Sequence, residues 1–223
     1  MDRTNHYERA FEAYLQEQRL CYVAVDESRR APLDEGRIKS LDFVVCGANG
    51  ARLLIDIKGR RYPGGKPGHE RRVWECWSTR EDVAGLLRWG QQFGPAYQGL
   101  LVFTYRLSPE VLLPEDTPDL WSWRDNRYLF RAVAIADYQR SMRVRSPKWG
   151  TVTLPQTVFR GLVRPLHHFT HGLLEIGSEG PALRSLGSGC ETPAIGYLED
   201  QDNFEHLTLD FAQLAADAVS TKS

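Results

Sequence analysis

The sequence predicts an α/β protein whose first hundred residues run helix, strand, strand, strand, helix, strand. Three observations predict it. An apolar stripe at helical spacing opens the chain, short β-rich runs separated by Gly, Pro and Asn follow, and an amphipathic run closed by Gly94-Pro95 precedes the apolar segment GLLVFTY. Hydrophobic residues make up 42% of the 223 and charged residues 26%, a balance that allows a real core. The length fits one domain with an appendage, or at most two small domains.

Residues 5–19 read as a helix because Tyr7, Phe11, Tyr14 and Leu15 fall at i, i+4, i+7 and i+8. LCYVAVD (20–26) reads as a strand, SRRAPLDEG as a loop and IKSLDFVVC (38–46) as a second strand. GANG is a hairpin signal. ARLLIDIK (51–58) is the third strand, and its Leu-Leu-Ile run implies burial on both faces. GRRYPGGKPGHERR reads as a long basic loop and VWECW as a short extended piece. Ser78 or Thr79 then caps a helix to about Phe93, with Ser78-x-x-Glu81 fitting a capping box. GLLVFTY (99–105) is a buried strand, 108–127 a Pro/Asp/Trp-rich excursion, and YLFRAVAIADY (128–138) another strand. Pro155 opens a helix with Val158, Phe159, Leu162 and Val163 inward.

The net charge of −1 hides an asymmetry. Residues 1–165 hold 26 Lys and Arg against 20 Asp and Glu, a net +6, while 166–223 hold 2 against 9, a net −7. The chain therefore divides into a moderately basic body, 1–165, and an acidic C-terminal extension, 166–223, partly flexible with one helix near 206–219. A basic body is compatible with nucleic acid and equally with an ordinary soluble surface. The acidic extension reads as a docking helix, or as a cover for the basic surface. No apolar run approaches the roughly 18–20 residues of a membrane span. The opening MDRTNHYERAFEAYL is charged and amphipathic, unlike a secretory signal, so the expected location is cytoplasmic. Cys21, Cys46, Cys76 and Cys190 form no C-x-x-C pair and suggest neither a zinc knuckle nor a disulfide framework. Cys21 and Cys46 sit in apolar runs and are expected to be buried.

The chemistry concentrates in Asp42 and in Asp56-Ile57-Lys58. Side chains at i and i+2 of a strand share a face, so Asp56 and Lys58 point the same way. Asp42 lies on the neighbouring strand, about 5 Å away, so the two carboxylates can converge. Converging carboxylates repel unless a cation lies between them, and Mg²⁺ or Mn²⁺ takes oxygen ligands. A lysine beside such a metal can orient water or neutralise phosphate charge. Glu8 borders the stripe of the first helix and could reach the metal or its water. Taken singly, each has a plainer reading. Glu8 is then a capping partner of Asn5 or an exposed charge, Asp42 a strand-end residue, and Asp56 with Lys58 a surface pair. Charges set within LLIDIK argue against the last, because burying them is costly.

These residues, Glu8 on the first helix, Asp42 on the second strand and Asp56-x-Lys58 on the third, resemble the PD-(D/E)XK nuclease superfamily, which includes restriction endonucleases and archaeal Holliday-junction resolvases. The resemblance covers roughly residues 5–105. It implies a restriction-endonuclease-like α-β-β-β-α-β core with a mixed central sheet flanked by helices, over a domain 1–165. It further implies Mg²⁺-dependent hydrolysis of DNA phosphodiesters leaving a 5′-phosphate. Asp42 and Asp56 would bind metal with the Ile57 carbonyl, Glu8 would bind metal or its water, and Lys58 would position the nucleophile. Relatives that pair to cut two strands make a homodimer an expectation. Leu41 stands where the motif's name has Pro. Gln91 and Gln92 are accessory candidates, although Pro95 and Ala96 break the Q-x-x-x-Y pattern of the RecB-like branch. His6-Tyr7-Glu8-Arg9-Ala10-Phe11-Glu12 also resembles an uncharacterised bacterial family named for a HYExAFE motif.

Arg60, Arg61, Lys66, Arg71 and Arg72 follow the lysine and are candidates for phosphate contact, against the reading of a solvated loop. Trp74, Trp77 and Trp89 read as core or as stacking platforms for unpaired bases. GRRYPGGK is no Walker A loop, since Arg60 takes the place of its first Gly and Pro67 that of Ser or Thr. His167, His168 and His171 have zinc-like spacing without a nearby carboxylate or thiol in sequence and read as structural. The runner-up function is a non-catalytic nucleic-acid-binding or scaffold protein that keeps the nuclease fold.

Overall fold

The computed structural model describes residues 5–25, 32–33, 36–37, 39–66 and 68–172. Cys190, the helix expected near 206–219 and the rest of 173–223 lie outside the described residues.

Helix α1 spans His6–Glu17 and starts at Asn5, whose side chain accepts the Tyr7 N–H at 3.1 Å. It buries Ala10, Phe11, Tyr14 and Leu15, the stripe read from the spacing. Strands β1 (Cys21–Ala24), β2 (Phe43–Cys46) and β3 (Arg52–Tyr62) follow, then helix α2 (Arg80–Phe93) and strand β4 (Tyr97–Leu107). Strands β5 (Leu120–Trp123) and β6 (Asn126–Ala134) precede the short helices α3 (Ile135–Ser141), α4 (Gln156–Leu162) and α5 (Leu166–His171). The sheet runs β1-β2-β3-β4-β6-β5, with Arg164–Pro165 paired to β6. β3 and β4 are parallel and their neighbours antiparallel, so the sheet is mixed. The crossover between the parallel strands carries α2. The expected element order, mixed sheet and flanking helices are all present.

Alternate residues of the central strands feed two cores. Leu54, Leu101, Phe103 and Tyr105 pack with Val83, Leu86 and Trp89 of α2. Leu53, Ile55, Leu100 and Val102 pack with Ala10, Phe11, Tyr14 and Leu15 of α1. Burial on both faces explains the unbroken Leu-Leu-Ile of β3.

Several local readings need correction. Gly59–Tyr62 is not loop but the end of β3, because β4 supplies ladder partners as far as Leu107. Gly64–Lys66 and His69–Arg71 then form a small hairpin. The strand read over 128–138 stops at Ala134 and turns into α3, while the excursion 108–127 contains β5. The box of α2 is Thr79 with Asp82, one residue later than Ser78 with Glu81. Cys21 and Cys46 are exposed and stand opposite each other across β1 and β2. Leu166 is fully buried and Thr170 is buried too, so α5 carries the packed body past residue 165. Ser78–Thr79, Thr151–Thr153 and Arg143–Ser146 form a separate three-stranded sheet. No described helix is long and apolar enough to cross a membrane.

Gly59 sets how closely α1 approaches β3. A Cβ there would lie 2.2 Å from Cδ2 of the Tyr7 ring. Gly59→Ala is therefore expected to destabilise the fold by about 2 kcal/mol through overpacking. A urea unfolding midpoint equal to wild type would show that α1 does not depend on this approach.

Candidate active site

Asp56 and Lys58 lie on the α2 side of β3, as the i, i+2 spacing requires. Lys58 Nζ is 2.5 Å from Asp56 Oδ2 and 3.0 Å from Asp82 Oδ2 on the first turn of α2. Asp42 stands just before β2. Its N–H donates to the Ile55 carbonyl at 2.9 Å, and its carbonyl accepts the Val25 N–H at 2.9 Å. Its Oδ2 accepts the Ile57 N–H at 2.5 Å. The carboxylate thus takes a β3 backbone donor at the very point where β2 gives out, which holds it against the Asp56–Lys58 segment. Asp42 and Asp56 are 4% and 5% exposed, so neither charge is dispersed by water.

Burial pushes the Asp42 carboxyl well above the usual range, and the nearby Asp56 and, more weakly, Glu8 add to it against the Ile57 hydrogen bond. Burial also raises Asp56, to about 6, despite the lysine beside it. Burial alone would lower Lys58, but Asp56 and Asp82 outweigh it and hold the ammonium above its ordinary value. Asp82 goes the other way. Burial would raise it, yet Lys58, Lys39 and the Thr79 backbone N–H keep it far below the carboxylate range. Lys39 contacts Asp82 directly, so a chain of alternating charge, Lys39, Asp82, Lys58, Asp56, joins α2 to β3.

Glu8 sits on α1, across the sheet from Asp56 and Lys58. Its Oε1 accepts from Asn5 Nδ2 at 2.6 Å, and its charge still acts on Asp42. The structure therefore gathers Asp42, Asp56 and Lys58, sets Glu8 at the flank and adds Asp82. Asp82 has a sequence signal in Thr79-x-x-Asp82, which overlaps the Ser78-x-x-Glu81 spacing one residue earlier.

Arg60 belongs to the strand and is 8% exposed. Its guanidinium lies 3.8 Å from the Trp77 ring centre and donates to the Gly59 and Trp77 carbonyls. It leaves the group of solvent-facing cations, which keeps the exposed Arg61, Lys66, Arg71 and Arg72. Arg71 is paired with Glu75 at 2.9 Å. Gln91 and Gln92 are exposed on the last turn of α2, at the other end of the helix from Asp82, and do not join the site. Trp89 is buried and donates to the Lys39 carbonyl, while Trp74 stacks on Tyr62 at 3.6 Å. His167 contacts Asp119 and His171 contacts Thr170. Among the described residues no three His, Cys, Asp or Glu side chains are grouped to hold a metal ion.

That last observation argues against a structural zinc centre with four side-chain ligands. It leaves room for a hard cation that takes one or two carboxylates and completes its shell with carbonyl oxygen and water. A buried carboxylate whose charge a second buried carboxylate disfavours suits a hard divalent cation of this kind.

No protein-family model matches the chain, so the HYExAFE resemblance gains no support. No curated protein matches it either. Among solved structures it is similar to Hjc, a Holliday junction resolvase from the archaeal hyperthermophile Archaeoglobus fulgidus. Identity is 12% over 73% of this chain and 95% of that chain, with a TM-score of 0.43.

Proposed function

We propose that the chain is a metal-dependent nuclease that hydrolyses phosphodiester bonds in DNA. What supports this reading most is the buried pair Asp42 and Asp56 with Lys58 beside them, Asp42 just before β2 and the other two on β3. Asp42 and Asp56 would hold Mg²⁺ or Mn²⁺ with the Ile57 carbonyl. The bound ion would supply Lewis acidity at the phosphate and lower the pKa of water. Lys58, charged and fixed by two carboxylates, would orient the attacking water and offset negative charge developing on phosphate. Glu8, set at the flank, would bind the metal or its water from the α1 side. Arg61, Lys66, Arg71 and Arg72 would meet the DNA backbone.

One observation favours a second reading, a nucleic-acid-binding or scaffold protein without cleavage. The run Lys39, Asp82, Lys58, Asp56 pairs its own charges and would hold α2 on β3 whether or not anything is cut.

Purified protein incubated with plasmid, single-stranded DNA, branched DNA and RNA, with Mg²⁺ or with chelator, separates the two. Cleavage of DNA that stops with chelator is expected; intact substrates under every condition leave the second reading. The metal has its own readout. A cation bound only by the folded state, at about 100 times its Kd, stabilises it by about 2.7 kcal/mol. Mg²⁺ or Mn²⁺ should therefore raise the unfolding midpoint of the wild type, and less so that of Asp42→Asn. Equal shifts in both proteins would count against Asp42 as a ligand.

A further inference from the structure

A β-hairpin far along the chain is tied to the candidate site. Its strands, Arg143–Ser146 and Thr151–Thr153, join the start of α2 through the pairs Thr151 with Thr79 and Val152 with Ser78. The Arg80 N–H also donates to the Gly150 carbonyl at 2.9 Å. Ser78 in turn donates to Asp82, which holds Lys58. A path of backbone pairs, a hydrogen bond and an ion pair thus runs from the hairpin to the lysine.

The tip is the turn Pro147-Lys148-Trp149-Gly150, closed by the Gly150 N–H to the Pro147 carbonyl at 3.2 Å, with Gly150 at φ 57°. A left-handed residue after the two central positions leaves those two side chains at the apex. They are Lys148 and Trp149. Trp149 is 72% exposed, an uncommon position for an indole, and Lys148 Nζ lies 5.4 Å from its ring centre. Arg143 and Arg145 are exposed on the strand behind. Among the described residues none of these three cations is in an ion pair. Between Asp137 and Glu175 the sequence has six Lys and Arg and no Asp or Glu, so the arm carries no acid of its own.

Regularly spaced cations attract a phosphate backbone, and an exposed flat ring stacks on any unpaired base. We infer that this hairpin is a DNA-binding arm: Arg143, Arg145 and Lys148 contact backbone phosphates, and Trp149 stacks on an unpaired base beside the bond offered to the acidic site. The position of that bond rests on the nuclease reading above; the binding does not.

The test is binding by the full chain, in chelator, to fluorescently labelled duplexes with and without a single-stranded overhang. Trp149→Ala is expected to weaken binding to the overhang DNA about 10-fold and to leave the blunt duplex nearly unchanged. Trp149→Phe should restore most of the loss, which a merely structural role would not predict. Replacing Arg143, Arg145 and Lys148 together by Ala should weaken both complexes and flatten the dependence of log Kd on log salt by about 3 on the duplex. The exposed positions make folded variants the expectation, checked by circular dichroism. Wild-type binding of both variants, no DNA binding by the wild type, or tighter arm-dependent binding of RNA overturns the inference. Binding without any cleavage in Mg²⁺ sinks the nuclease reading and leaves the arm standing. Cleavage with fully competent arm variants does the reverse.

Discussion

Asp56→Asn is expected to slow DNA cleavage at least about 100-fold while leaving the unfolding midpoint equal to wild type or higher. The two effects separate for a physical reason. Asp56 is buried against one lysine and its carboxyl is raised to about 6, so folding favours its neutral form. A group of that kind contributes stability below its ordinary value of 3.8 and loses it as the pH rises through about 6. At neutral pH the native charge is held against a cost, and the isosteric amide removes that cost along with the ligand oxygen's charge. Lys58→Ala should match the loss of cleavage but also destabilise the fold, because it strips the shared cation from buried Asp56 and Asp82. Gel assays and urea unfolding at pH 7 read both quantities. Asp56→Asn protein that cuts at the wild-type rate would remove Asp56 from the chemistry. Asp56→Asn protein that keeps cutting poorly only because it unfolds would make the residue structural.

Asp82→Ala should lower stability by about 3 kcal/mol at neutral pH. Its carboxylate accepts from Ser78 Oγ at 3.0 Å and from the Thr79 N–H at 2.9 Å, and it holds both Lys39 and Lys58. Alanine leaves Lys58 with only Asp56, whose charge burial already disfavours, and it opens the capping box of α2. The pH dependence follows from the sign of the shift. Folding lowers the pKa of Asp82, so its contribution is complete above the ordinary value of 3.8 and is lost as the pH falls toward the depressed value. The gap between wild type and variant should therefore be widest near pH 7 and narrow below about pH 4. Urea midpoints across that range measure it, and a gap that does not change with pH would mean that Asp82 acts through packing rather than charge. Lost cleavage in this variant would also be expected, since Lys58 would no longer be steered from the α2 side.

Local spacing was enough for much of this molecule. The stripe of Phe11, Tyr14 and Leu15 marked α1 and its buried face, and the Leu-Leu-Ile run marked a strand covered on both sides. The i, i+2 relation of Asp56 and Lys58 is a property of β geometry that holds before any tertiary contact forms. Each of these rests on residues within a few positions of one another, where the backbone period alone decides which way a side chain points.

The remainder came from pairings that no local window contains. β3 runs on to Tyr62 because β4, 45 residues later in the chain, supplies its hydrogen-bond partners. For the same reason Arg60 is a packed strand residue against Trp77 instead of a loop cation. Asp82 reaches Lys58 only because the crossover lays α2 over β3. The turn carrying Trp149 is joined to the start of α2 only because Val152 pairs with Ser78, which lies far back in the chain. Turn and strand propensities have no access to such partners. They are selected when the chain closes and each buried donor, acceptor and charge must find its complement among distant residues.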